Sequence, residues 1–349
     1  MLPMLRSAVL LFAAAALGGC VSPGYYLQAI GGQLEVWRLA RPVGLIESDP
    51  AVPSSLKERL AAASRLRDFA SRALALPDNG SFRSYADLGR PAAVWNIFAA
   101  GEFSLRLRSW CFPVAGCVNY RGYFAEADAM AFAAELRGEG LDVSVGGVPA
   151  YSTLGWFDDP LLNTFIHFPE MELLRLLVHE LAHQVVYVGD DTEFNEAFAV
   201  VVEQEGLRRF LAGEPDPVRR ERALVVQRRR ADFQKLVQET GRRLEALYAS
   251  ALAPEEMRRE KARLLAGMRR DHAALKAGSW QGYAGFDRWF GQTLNNAALA
   301  SVALYHELVP AFEALLEQTG RDLPRFYAEA RRLAALPKAD RRTQLAREQ

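Results

Sequence analysis

The sequence predicts an α+β protein, mainly α, with a small mixed sheet in the middle of the chain and helices before and after it. Three observations carry this. Apolar residues recur every three or four positions from residue 25 to about 74 and again beyond residue 170. Between those stretches, short aromatic or alternating runs are bounded by turn residues, as strands are. The 349 residues are 50 % hydrophobic and 24 % charged, enough apolar material for one or two cores. Forty-two basic residues balance 42 acidic ones, so the net basic field that grips nucleic acid is absent. There is no fixed-period repeat, GxSxG elbow or phosphate loop.

Residues 1–20 read as an address. Arg6 precedes the ten-residue apolar run Ala8 to Leu17, too short to span a bilayer comfortably. Leu17-Gly18-Gly19-Cys20 then resembles the bacterial lipobox, which implies cleavage before Cys20 and its lipidation. By resemblance to Gram-negative lipoproteins, Val21 implies sorting to the outer membrane, with the protein periplasmic and lipid-anchored. No other stretch approaches the ~20 apolar residues of a spanning helix.

Residues 21–90 are expected to be a helical segment. A short helix covers Tyr25 to Leu39. A clearer one covers Ser55 to Leu74, with Leu56, Leu60, Ala63, Leu66, Ala70 and Leu74 on one stripe, before Pro77-Asp78-Asn79-Gly80 breaks the pattern. Residues 91–212 form the expected core. Ala92 to Phe98 is apolar and aromatic. Phe103, Leu105 and Leu107 alternate with Ser104, Arg106 and Arg108, which predicts a half-buried strand. Further strands are expected over Asn119 to Phe124, Leu141 to Val145 and Val148 to Thr153, with a helix from Ala125 to Arg137. Cys111 and Cys117 enclose a five-residue loop containing Pro and Gly. In an oxidising compartment they read as a disulfide, and a catalytic cysteine is the rival reading.

Glu170 to Val188 is apolar nearly all round, so that helix is expected to be buried. Gly189-Asp190-Asp191 ends it, and Thr192 is placed to cap the next helix, Glu193 to Leu211. Residues 213–337 are expected to be helical, with breaks near Pro254, Gly278, Gly320 and Pro337. Lys338 to Gln349 reads as a polar, frayed tail.

The chemistry concentrates in His179-Glu180-Leu181-Ala182-His183. Residues four apart share a helix face, so both imidazoles reach one small cation. Zinc takes such nitrogen ligands and prefers four-coordination. Glu180 lies at the edge of that face, where it can take a proton from a water on the metal. Two histidines and a glutamate in an apolar helix would otherwise cost free energy to bury. A third ligand is expected from Asn195-Glu196-Ala197-Phe198-Ala199 on the following helix, with Glu196 the candidate and Glu193 and Glu203 as rivals. Glu203, two turns beyond Glu196, could instead bond a ligand histidine, as could Asn195.

HELAH followed by NEAFA resembles the gluzincin metallopeptidases, in which a glutamate on a later helix completes the zinc site. NEAFA is similar to the NEGFA-type element of the zinc aminopeptidases. The spacing from His183 to Glu196 is shorter than in thermolysin-like enzymes, and no GxMEN-like element is present. More of the chain resembles a bacterial family of predicted aminopeptidases, often lipoproteins. The matching stretches are CFPVAGCVNYRGYF from Cys111, VGGVPAYSTLGWFDDP from Val145, HELAHQVVYVGDDTEFNEAFA from His179 and NNAALASVALYHELVPAFEALL from Asn295. The resemblance implies a zincin-like core, Zn2+ as cofactor and a peptide as substrate.

Peptide hydrolysis also needs a donor for the developing oxyanion. Candidates are Tyr151, His167, Tyr305 and His306. Trp156, Asp158 and Asp159, in the loop before the first of the two motif helices, could line a substrate groove, an Asp holding a free amino end. The arginines between Arg219 and Arg230 read as a solvated helix face alternating with acids. Two other functions fit the same motif: an envelope endopeptidase or cell-wall amidase, and a non-catalytic scaffold or chaperone that keeps zinc for stability.

Overall fold

The computed structural model describes residues 23–112, 116–304 and 308–347. The lipobox cysteine Cys20 and the donor candidates Tyr305 and His306 lie outside the described residues.

The chain adopts the mainly helical α+β architecture. The order is α1 (Pro23–Leu39), β1 (Arg41–Pro42), α2 (Val43–Ser48), α3 (Ser54–Leu74), β2 (Ser84–Ala86) and β3 (Val94–Ala100). Then come β4 (Trp110–Phe112), β5 (Gly116–Val118), β6 (Arg121–Tyr123), α4 (Glu126–Gly138), β7 (Asp142–Val148) and β8 (Leu161–Leu162). Nine helices follow among the described residues: α5 (Glu170–His183), α6 (Thr192–Ala212), α7 (Pro217–Tyr248), α8 (Pro254–Ala277), α9 (Asp287–Gly291), α10 (Asn296–Ala303), α11 (Val309–Gln318), α12 (Leu323–Ala334) and α13 (Lys338–Arg347).

Three small sheets replace a single one, in the orders β1-β2-β8, β6-β3-β7 and β4-β5. β3 is the centre of the second and is buried along its whole length. Side chains alternate across a strand. Trp95, Ile97 and Ala99 therefore meet Ala129, Ala133 and Leu136 of α4 on one face. Phe98 and Ala100 meet Ala297 and Leu304, in and beside α10, on the other. The largest core joins α3, α5, α6, α11 and α12. A separate cluster of Phe233, Leu236, Leu265, Met268 and Trp280 fills the α7–α8 pair.

Four expectations are corrected. Phe103 to Leu107 is not a strand; it makes a single bridge, Leu107 to Ala100. Its apolar side chains pack on the helices instead, Leu105 on the α7–α8 cluster and Phe103 against Tyr248. The first expected strand runs on through Gly146-Gly147 as β7, because β3 offers seven continuous partners from Val94 to Ala100, and the second, Val148 to Thr153, is not formed beyond Val148. A β-carbon at Gly147 would crowd Ala92 Cβ at 2.8 Å, so glycine permits the pairing there. α5 ends at His183, five residues before Val188, and Asp191 rather than Thr192 caps α6 by accepting from Phe194 N. The tail from Lys338 is helical to Arg347: Arg341 is buried against Asp191, and Leu345 is fully buried.

Candidate metal centre

α5 carries Arg175, His179 and His183 at successive i+4 positions, hence on one face. α6 packs against α5 and is buried on nearly every side, which leaves its polar residues to find partners in the interior. The turn between the helices is tied by one side chain. Val188 N donates to Asn195 Oδ1 at 2.8 Å, and Asn195 Nδ2 donates to Val188 O at 2.8 Å. Asn195 thus fixes the turn that presents Glu196 and contacts neither imidazole; the expectation that it bonds a histidine is corrected.

With that turn fixed, Glu196 reaches back to α5. Its Oε2 lies 3.2 Å from His179 Nε2 and 3.7 Å from His183 Nε2, and the two nitrogens are 3.2 Å apart. The edges of a tetrahedron with ligand bonds of 2.0–2.1 Å are roughly 3.3–3.4 Å. The three atoms are therefore spaced as ligands around one small divalent ion, and His179, His183 and Glu196 form a group that could hold a metal. Glu193, the rival ligand, pairs with Arg342 instead.

Glu203, one strip further along α6, meets His179 Nδ1 at 3.2 Å and is gripped by Arg175. A carboxylate on the far nitrogen fixes the tautomer that aims the near one inward. His183 has no such support; its Nδ1 is buried without a hydrogen-bond partner among the described residues.

The charges agree. Burial pushes the Glu180 carboxyl up to about 7, an effect that the His179 charge opposes and the Glu196 charge reinforces. Burial lowers His183 to about 4. Burial opposes ionisation of Glu203 too, yet Arg175 and His179 outweigh it and hold the carboxyl at about 2. For His179, burial is outweighed by the hydrogen bonds to Glu196 and Glu203, which favour a proton. A positive charge is thus stabilised where a metal ion would sit.

Sequence reasoning missed two contributors. Arg175 had a legible signal, the third member of the i+4 series, but its partner is non-local. Tyr120, just before β6, had none. Burial raises its hydroxyl well above the usual phenol range, and the Glu196, Tyr187 and Glu180 charges add to it. Its ring packs against Phe98, and its hydroxyl feels the charges of Glu196 and Glu180.

The other described candidates make contacts of their own, and the Asp159 charge helps to raise the Glu180 carboxyl. Tyr151 donates to Gln33 Oε1 at 2.7 Å and packs on Phe124. His167 is exposed. Asp159 is buried and accepts from Thr153 N at 3.0 Å, so it organises its own loop; burial lifts its carboxyl to about 6. Asp158 sits over Gly80, and Trp156 points to solvent at 72 % exposure. The arginine stretch is paired, Arg219 with Glu170, Arg228 with Glu221 and Arg230 with Glu172. Cys111 and Cys117, opposite each other on β4 and β5, are joined by a disulfide. That hairpin lies against the α5–α6 turn so closely that a β-carbon on Gly116 would overlap the Gly189 carbonyl.

Fold and site together define a mainly helical protein with a two-histidine, one-glutamate group on a buried helix pair, able to hold a metal ion. A model of the family described as "Putative aminopeptidase" matches residues 24–345, and the chain belongs to that family. No curated protein and no solved structure matches it. Family membership suggests peptidase activity.

Proposed function

We propose that this protein is a zinc-dependent peptidase of the bacterial cell envelope, and an aminopeptidase. The observation that carries the reading is the convergence of His179 Nε2, His183 Nε2 and Glu196 on one point. Two imidazoles and one carboxylate suit zinc and leave room for solvent in a fourth position. When bound, the ion supplies a Lewis acid and a water of lowered pKa.

The chain's own residues do the rest. Glu180 carries no hydrogen bond from a described side chain and sits on the helix turn between the ligand histidines, with a carboxyl already biased upward. It takes the proton of the attacking water and passes it to the leaving amine. Glu203, held by Arg175, keeps the His179 ring in register. We assign the developing oxyanion to Tyr120, whose hydroxyl feels the charges of Glu196 and Glu180. The lipobox at Cys20 supports a tethered, periplasmic location, and the family description supports exopeptidase action.

The test is Glu180→Gln, assayed on peptides with free and with blocked amino ends. The expected result is a loss of about 10²–10⁴ in kcat/KM with metal content unchanged, and cleavage of free-ended peptides only. Retained turnover would show that Glu180 is not the base, and cleavage of blocked peptides would make the protein an endopeptidase.

A further inference from the structure

The outer side of α1 carries a feature that the proposed peptidase site does not use. On its inner side, Tyr25 stacks on Phe112 and under Arg121, Val36 is buried, and Gly32 lies so close to the Phe124 ring that no side chain fits. The opposite side bears Leu27, Ile30 and Leu34, which are 71 %, 58 % and 54 % exposed. At 100° per residue these three fall within one narrow stripe, continued by Trp37. Trp37 touches Phe157 edge-on at 4.4 Å, which joins the stripe to a second exposed pair, Phe157 and Trp156. The loop bearing them is built to hold that shape. Leu154 and Gly155 take positive φ, and Thr153 Oγ1 donates to Phe157 O at 3.0 Å. Asp159 fixes Thr153 N. An exposed indole on a rigid turn beside an apolar helix stripe is a surface for something apolar.

Position and charge choose the occupant. α1 begins at Pro23, three residues after Cys20, and three extended residues span only ~10 Å. A bilayer holding that cysteine by acyl chains is within reach of the stripe. The stripe carries no acid; its one charged side chain is Arg38, in the last turn of α1 and exposed. That is the pattern of a helix lying in a headgroup layer, with a tryptophan at the boundary. We propose that Leu27, Ile30, Leu34, Trp37, Trp156 and Phe157 form a docking face for the phospholipid bilayer, so that the protein lies on the membrane instead of hanging from its tether. The proposal rests on the envelope location proposed above.

The full chain, isolated from membranes, is reconstituted into vesicles of phosphatidylethanolamine with a minority of phosphatidylglycerol, with or without bromine on the acyl chains. Trp156→Phe identifies the emission belonging to Trp156. The expected result is that brominated lipid removes most of that emission. Leu27→Ser/Ile30→Ser/Leu34→Ser, at exposed positions, restores it while the protein stays with the vesicles. The mass of the Cys20 peptide reads the anchor separately. Acylation without quenching overturns the docking face and leaves the anchor standing; quenching without acylation does the reverse. Failure to sediment with vesicles overturns the docking face. Protection from acrylamide without quenching by bromine also overturns it, since a second copy would then cover the stripe.

Discussion

Two imidazoles, three carboxylates and one guanidinium meet between α5 and α6, so the carboxylates outnumber the one permanent cation. Arg175 pairs with Glu203, and the hydrogen bonds from Glu196 and Glu203 favour a proton on His179. A divalent ion held where the two Nε2 atoms and Glu196 converge would replace that proton. The motif was readable because helix geometry is local: four residues is one turn, and the side chains at 179 and 183 must share a face. Glu196 was readable because a short turn brings the start of the next helix back beside the end of the first. Tyr120 was not, since it stands far from both helices in sequence and feels the cluster's charges only through tertiary packing. It also gives the sharpest residue-scale prediction. Tyr120→Phe should lower kcat by about 10²–10³ with KM and metal content little changed, as loss of an oxyanion donor does. Steady-state kinetics beside metal analysis check this, and an unchanged kcat would reduce Tyr120 to a packing residue.

At the scale of elements, the metal helices depend on their connection. Asn195 is 2 % exposed and satisfies both backbone groups of Val188. Asn195→Ala leaves the half-buried Val188 N–H without its partner and its C=O with Asp191 N alone, and should cost roughly 1–3 kcal/mol. Denaturant unfolding measures it, and a change within a few tenths of a kcal/mol would mean that the turn is held by something else. The long periodic stripe of α3 and the nearly all-apolar run of α5 made those helices legible. The misread ones share a physical cause. Alternation at Phe103 to Leu107 says that every second residue is buried, without saying whether a strand or a helix does the burying; here α7 does. The C-terminal helix has one fully buried apolar residue, Leu345, and owes its docking to Arg341 and Arg342 reaching Asp191, pairs that no local pattern announces.

Over the whole molecule, charge balance joins distant segments. Glu205 on α6, with a fully buried side chain, accepts from Arg208 at 2.6 Å, from Arg209 at 2.7 Å and from Arg321, in the turn after α11, at 2.5 Å. Burial alone would raise its carboxyl; Arg208 and Arg209 outweigh that and hold it at about 2. A depressed folded-state value stabilises the protein above the ordinary carboxylate range and loses that stabilisation as pH falls toward 2. Glu205→Gln should therefore cost about 3 kcal/mol at neutral pH, with the difference shrinking as the solution is acidified below about 4.5. Unfolding curves for both proteins across that range check the sign; a gap that widens in acid would contradict it. The mainly helical class was legible in composition and periodicity. The division into three sheets was not, because strands of two or three residues leave almost no alternation to read.

All of these scales converge on whether the helix pair holds an ion. Metal analysis of the purified chain after zinc loading and exhaustive dialysis tests that most directly. The account predicts about one zinc per chain, and its loss in His179→Ala and in Glu196→Ala. Stoichiometric zinc that persists in both variants, or none in the unaltered chain, would contradict it.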